Sequence, residues 1–331
     1  MTGKIVGTME KKQPLVSVVI PNYNYARYLT RRIESVLQQT FTDYELILLD
    51  DASTDGSVEV LERYRGHEHV SQLVVNRENS GSPFVQWLRG IRLARGKYVW
   101  IAEADDDARP DFLETCVSLA EHYDDVAVCF AGSELFDADG RVEPRDVNHW
   151  GRRGKKLCAC FDGKAYAEHN LYWKNYIINA SGAIFRRDYA LRLPDMSFVT
   201  MRFCGDWMFW FEMALQGKVV EVYRKLNFFR QHPAKATVAS HNHGDGIRED
   251  VQIVRRMESC LPALPMYKKR LRRGVLFRKI RRMHLSRDEQ EKLYAYLSDT
   301  LQSGVADYWL ERRNQFLRLF PGVVTAKKDR L

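Results

Sequence analysis

At 331 residues, with 45% hydrophobic and 12% aromatic content, the chain can bury a full core, which excludes a disordered segment and allows two domains, or one large domain with an appendage. No apolar run approaches the roughly 18–20 residues that span a bilayer, and the polar start Met1–Pro14 lacks the apolar core of a secretory signal, so a cytoplasmic protein is expected. The net charge of +8 is local: Met266 to Arg287 holds ten basic residues and no acid, contributing +10 and leaving −2 for the rest.

Short β-branched runs at Leu15–Ile20, Glu45–Leu49, Gln72–Val75, Tyr98–Ala102 and Val126–Ala131 predict buried strands. Between them, apolar residues at helical spacing predict helices over Tyr28–Gln38, Ser57–Arg65, Pro83–Ala94 and Pro110–Tyr123, the last with its proline in the first turn. This alternation implies an α/β fold with a mostly parallel sheet covered on both faces, whose ligands bind beyond the carboxyl ends of the strands. A polar excursion runs from Asp139 to Lys156. A second unit holds Tyr176–Phe185, a helix at Asp206–Leu215 and a strand at Val219–Phe229. Beyond Gly246 the pattern is helical: Ile247–Leu261, Tyr267–Met283, Arg287–Leu301 and Val305–Phe320. The six cysteines follow no zinc-binding spacing, Cys158 and Cys160 forming only a CxC, and are read as reduced thiols.

Three acidic clusters stand at predicted element ends: Asp50-Asp51-Ala52-Ser53-Thr54-Asp55, Glu103-Ala104-Asp105-Asp106-Asp107, and Asp206 opening a helix. Any of the first or third can simply cap a helix. Four acids in five positions are harder to explain that way: such carboxylates repel one another and stay ionised only around a cation. Hard oxygen ligands suit Mg²⁺ or Mn²⁺ completed by phosphate. A solvated acidic turn is the competing reading.

The segments Val-Ser-Val-Val-Ile-Pro-Asn-Tyr-Asn (16–24), Ser-Val-Leu-Gln-Gln-Thr (35–40), Glu-Leu-Ile-Leu-Leu-Asp-Asp-Ala-Ser-Thr-Asp-Gly-Ser (45–57) and Gly-Lys-Tyr-Val (96–99) together resemble the family 2 glycosyltransferases of GT-A fold. The resemblance is close over about 14–135 and looser to about 240. It implies a nucleotide-sugar-binding half at 14–135, an acceptor-side half at 136–245 and a basic helical extension at 246–331. It also implies an inverting transfer from a nucleotide-diphospho-sugar to a hydroxyl of a glycan or lipid-linked acceptor. On that basis Pro21, Tyr23 and Asn24 approach the nucleotide and Asp51 accepts from the base, which favours UDP or dTDP. Glu103, Ala104 and Asp105 occupy the family's DxD position, with Asp105 as metal ligand and Asp106 beside it. Ala52 replaces a frequent glycine. Gly205-Asp206 resembles an acidic pair whose first acid is here glycine, leaving Asp206 as general base. Phe229-Arg230-Gln231-His232-Pro233 resembles a loop near the diphosphate, making Arg230 and His232 candidates for phosphate or metal.

The basic segment Lys268–Arg287 also carries apolar residues partly on one helical face. It can dock on an anionic membrane, giving a peripheral position on the inner membrane face, or pack its apolar face on the body. Nucleic acid is not expected, since no binding motif accompanies the charge. A dinucleotide enzyme is disfavoured because the first strand ends in Pro-Asn-Tyr-Asn without a GxGxxG turn. A catalytically silent GT-A-like binding module remains the rival reading.

Overall fold

The computed structural model describes residues 13–148, 150, 155–231 and 244–317. In its first half, strands β1 (Val16–Asn22), β2 (Tyr44–Asp50), β3 (Val70–Val75) and β4 (Tyr98–Ile101) alternate with helices α1 (Ala26–Leu37), α2 (Ser57–Glu62) and α3 (Pro83–Leu93). Every residue of β1, β2 and β4 is buried, as expected of strands covered on both faces. These strands pair in parallel in the order β3-β2-β1-β4, so the ends of β1, β2 and β4 open on one edge. Gly96, in the Gly-Lys-Tyr-Val segment, is required by a close approach. A Cβ there would lie 2.6 Å from the Ser17 amide nitrogen of β1.

Beyond β4 the sheet becomes mixed. β5 (Asp107–Ala108), α4 (Phe112–His122), β6 (Val126–Phe136), β7 (Cys158–Phe161) and α5 (Gly163–Tyr166) follow. The chain continues through β8 (Ala183–Arg186), α6 (Arg187–Ala190), α7 (Gly205–Ala214) and β9 (Lys218–Arg230). β8 lies antiparallel between β4 and β6, β9 runs parallel to β6, and β5 and β7 pair antiparallel with β9. Pro110 stands ahead of α4 rather than in its first turn, and its carbonyl accepts from the Thr40 amide at 2.9 Å. In the Tyr176–Phe185 segment only the end is strand; Asn179 caps a single 3₁₀ turn, its side chain accepting from the Ser181 amide. None of the six cysteines is paired in a disulfide.

Four helices close the chain: α8 (Asp245–Cys260), α9 (Met266–Arg281), α10 (Arg287–Leu301) and α11 (Val305–Leu317). The basic helix α9 packs among the other three and buries Leu271, Leu276 and Ile280. Its charges meet acids from elsewhere in the chain: Lys268 with Glu168, Arg270 with Asp307, Arg273 with Glu258, Arg278 with Glu311 and Lys279 with Asp250. Arg272 is buried, donates to the Tyr172 carbonyl and lies over the Trp207 ring. Packing on the body is therefore what the apolar face of this helix does. Among the described residues, no helix is long and apolar enough to cross a membrane.

Candidate active site

The turns after β1 and β2 are tied together by short polar side chains. Asn22 Nδ2 donates to Asp50 Oδ2, and Asp50 Oδ1 accepts from the Ser53 amide. The Asn24 amide donates to Ser53 Oγ, and Asn24 Oδ1 accepts from the Thr54 amide. Asn24 and Ala52 both have left-handed backbone, with φ of 58° and 62°. That conformation suits glycine or asparagine, and it strains the alanine modestly. Asp50 is thus a buried support for the turn. Tyr23, 46% exposed, presents its ring to solvent at the strand end, while Pro21 is buried within β1.

Asp51, only 4% exposed, is held by the segment between β3 and α3. Oδ1 accepts from Asn76 Nδ2 at 2.6 Å, Gln86 Nε2 at 2.7 Å and the Ser80 amide at 3.0 Å. Oδ2 accepts from Ser80 Oγ at 2.7 Å. Oδ2 also shares the Ser80 amide at 3.1 Å, so protein donors hold both oxygens of this carboxylate in place.

The second cluster follows β4. Glu103 Oε1 accepts from Trp87 Nε1 at 2.8 Å, and burial, reinforced by Asp105, pushes its carboxyl up to about 8. Asp106 is raised for the same reasons, burial first and then Asp105. Its Oδ2 accepts from Asn179 Nδ2 and Ser181 Oγ, and its Oδ1 from the Arg230 amide. Ala104 is buried, Asp105 half-buried. Asp107 pairs with Arg31. Behind the cluster, fully buried Arg32 stacks on Trp100 at 4.8 Å. Burial is the main cause of both shifts, and the hard oxygen set suits a divalent cation. Among the described residues, no group of three or more His, Cys, Asp or Glu is placed to hold a metal ion by itself. Mg²⁺ or Mn²⁺ would instead be held by one or two carboxylates with phosphate oxygens completing the shell.

Arg230, at the end of β9, clamps this loop. Its Nε donates to the Asp105 carbonyl at 2.7 Å, and Nη1 donates to the carbonyls of Asp137 and Ala138 at 2.9 and 3.0 Å. The guanidinium lies between Tyr28 and Phe136, 4.3 and 4.1 Å from their ring centroids. His232 lies outside the described residues.

Asp206 sits in the first turn of α7. Asn175 Nδ2 donates to its Oδ2 at 2.8 Å, and burial pushes its carboxyl up to about 6. The residue before it has no room for a side chain: a Cβ on Gly205 would lie 2.5 Å from the Phe84 ring and 2.6 Å from the Phe198 carbonyl oxygen. The missing first acid is a packing constraint. Asp206 also lines a cavity of about 650 Å³ between α7, α8 and the end of α9.

One helix gathers all three clusters. At the start of α3, Phe84 packs over Gly205, Gln86 donates to Asp51 and Trp87 donates to Glu103. Ser82 caps this turn and also donates to the Val199 carbonyl near α7. These supports were missed by sequence reasoning, as were Asn175, Asn179 and Ser181. The apolar spacing of Phe84 and Trp87 reads only as a core face, and nothing local marks the amides as partners of distant carboxylates.

The sequence model described as Glycosyl transferase family 2 matches residues 17–193, more than half of the chain. The chain belongs to glycosyltransferase family 2. It is 34% identical to the chondroitin synthase of Escherichia coli over 146 residues, which are 44% of this chain and 21% of that protein. The first curated relatives are matched over 21%, 36% and 65% of their lengths, each less than two thirds. Among solved structures, Staphylococcus aureus TarS 1-349 in complex with UDP superposes with a TM-score of 0.52 at 16% identity, covering 91% of this chain and 78% of that one. The mannosyltransferase PcManGT of Pyrobaculum calidifontis, in complex with GDP-Man and Mn²⁺, gives 0.53 at 18% identity, covering 94% and 77%. These likenesses carry the fold. The chain is a family 2 member of GT-A fold, with helices following the sheet domain.

Proposed function

We propose that this enzyme moves a monosaccharide from a nucleotide-diphospho-sugar, with UDP or dTDP favoured, onto a hydroxyl of a glycan or lipid-linked glycan, inverting the anomeric centre. The observation that carries the reading is the convergence of Asp51, Glu103 and Gly205, the neighbour of Asp206, on the first turns of α3. A nucleotide site and a base must lie within one sugar's length for a single displacement. Asp51 accepts a ring N–H of the base, Tyr23 offers its exposed ring beside it, and Pro21 and Asn24 shape the approach. Glu103 and Ala104 line the donor side. Mg²⁺ or Mn²⁺, held by Asp105 with the donor diphosphate, supplies Lewis-acid stabilisation of the leaving group when bound. Arg230 holds the Asp105 backbone in place, and Asp106 is fixed beside it.

Asp206 takes the proton of the attacking acceptor hydroxyl onto its carboxylate. Its raised pKa, about 6, brings it nearer the operating pH than an ordinary carboxylate and strengthens it as a base. One base suffices, because the nucleotide diphosphate leaves without needing a proton from a second carboxyl. We place the protein in the cytoplasm, working on acceptors at the inner membrane face.

The test is thermal stability with UDP, dTDP, GDP and CMP, each with and without Mn²⁺. A ligand at about a hundred times its Kd adds roughly 2.7 kcal/mol. A metal-dependent shift with one nucleotide, lost in Asp105→Ala, supports the reading and names the donor class. No shift with any nucleotide would favour a silent binding module. Asp206→Asn should bind donor normally and lose transfer.

A further inference from the structure

We propose that the cavity beside Asp206 is the acceptor subsite and that it selects an acceptor carrying an anionic group, phosphate or carboxylate, read by Arg282 with His284 at the end of α9. The inference rests on the glycosyltransferase reading of Asp206 and adds the acceptor's chemistry to it.

Cations line the α9 side of this cavity of about 650 Å³, while Asp206 belongs to the α7 side. The ten basic residues of the Met266–Arg287 stretch are not equivalent. Most are matched by internal acids or by hydrogen bonds to Tyr172 and Tyr308. Arg282 lines the cavity, is exposed, and has no acidic partner among the described residues. Arg278 lies 3.2 Å from Glu311 but is not aligned for a hydrogen bond, so its donor capacity is not spent there. The second acid in the lining, Asp250, is neutralised by Lys279.

This disposition orients a bound molecule. An anionic group placed toward Arg282 and His284 leaves the far end of the acceptor, with its hydroxyl, toward Asp206. A neutral acceptor would leave the cationic rim hydrated and gain nothing from it. The apolar walls from Phe203, Trp207 and Met283 suit the faces of a sugar ring.

Binding of methyl glucoside, methyl glucuronide and glucose 6-phosphate to the full chain, by calorimetry, tests this. At least one anionic probe should bind about fivefold or more tightly than the neutral one, the scale of a charged hydrogen bond discounted for exposure. That preference should vanish in Arg282→Glu and persist in Arg287→Glu, whose side chain is 94% exposed outside the cavity. Preference for glucose 6-phosphate alone assigns a phosphate-bearing acceptor; preference for both anions assigns charge without phosphate geometry. Asp206→Asn, which removes a negative charge from the same cavity, should tighten the anionic probes. Equal affinity for the three probes, absence of binding by all of them, or a preference untouched by Arg282→Glu overturns the proposal. Retained sugar transfer in Asp206→Asn would instead overturn the base assignment and leave the anion preference standing.

Discussion

Arg230→Met removes a guanidinium while keeping most of the side chain's bulk between Tyr28 and Phe136. Three carbonyls, of Asp105, Asp137 and Ala138, lose their donor in a site where Arg230 is only 2% exposed. Hydrogen bonds to a charged group contribute about 1.5–3 kcal/mol each, but three bonds from one fork are not additive. The retained packing keeps the cavity term small, so the expected loss is about 3–5 kcal/mol. That is a large part of the roughly 5–15 kcal/mol that holds a domain together. Urea unfolding without ligands should show a lower midpoint at unchanged slope. The Mn²⁺-dependent stabilisation by nucleotide should fall with it, since the Asp105 backbone is no longer held. Arg230→Lys should recover only part of the loss, because a single ammonium cannot span carbonyls on two loops. A Met variant within about 0.5 kcal/mol of wild type would refute the clamp. If that variant also lost nucleotide binding, Arg230 would act on the ligand's phosphates directly.

Other perturbations follow from the same geometry. With Asp206 at about 6 in the folded state against 3.8 ordinarily, transfer should rise with pH to a plateau above about 6, and Asp206→Asn should lack that limb in its residual rate. The folded state binds this proton more tightly than the unfolded chain, so ionising Asp206 costs stability. Wild type should therefore gain stability relative to Asp206→Asn on acidification from pH 7 to 5, read by denaturant melts. Trp87→Phe keeps the ring packing but removes the donor to Glu103. It should cost about 1 kcal/mol and raise the Mn²⁺ needed for nucleotide binding by about tenfold, measured by titration. Gly205→Asp should not restore a second catalytic acid. The new Cβ meets the backbone oxygen of Phe198 at 2.6 Å, and a drop in Tm with loss of transfer is expected; wild-type stability would contradict the packing account.

The sequence by itself determined the parallel strands β1 to β4, their helices and the acidic clusters at the strand ends. Those features follow from periodicity and turn chemistry within a few residues of one another. Only the tertiary structure decided what the clusters share. Gln86 meets Asp51, Trp87 meets Glu103 and Phe84 covers Gly205 across sequence separations that carry no local pattern. The same holds for Arg230, whose motif suggested a ligand contact and whose guanidinium closes on three backbone carbonyls about a hundred residues upstream. The basic helix shows the limit most plainly. Its charge is visible in any reading of the chain, but the acids that neutralise it, Glu168, Asp250, Glu258, Asp307 and Glu311, are scattered over the second half. A charge run records how many cations a helix carries. Folding decides which of them meet a carboxylate and which, like Arg282, are left facing a cavity.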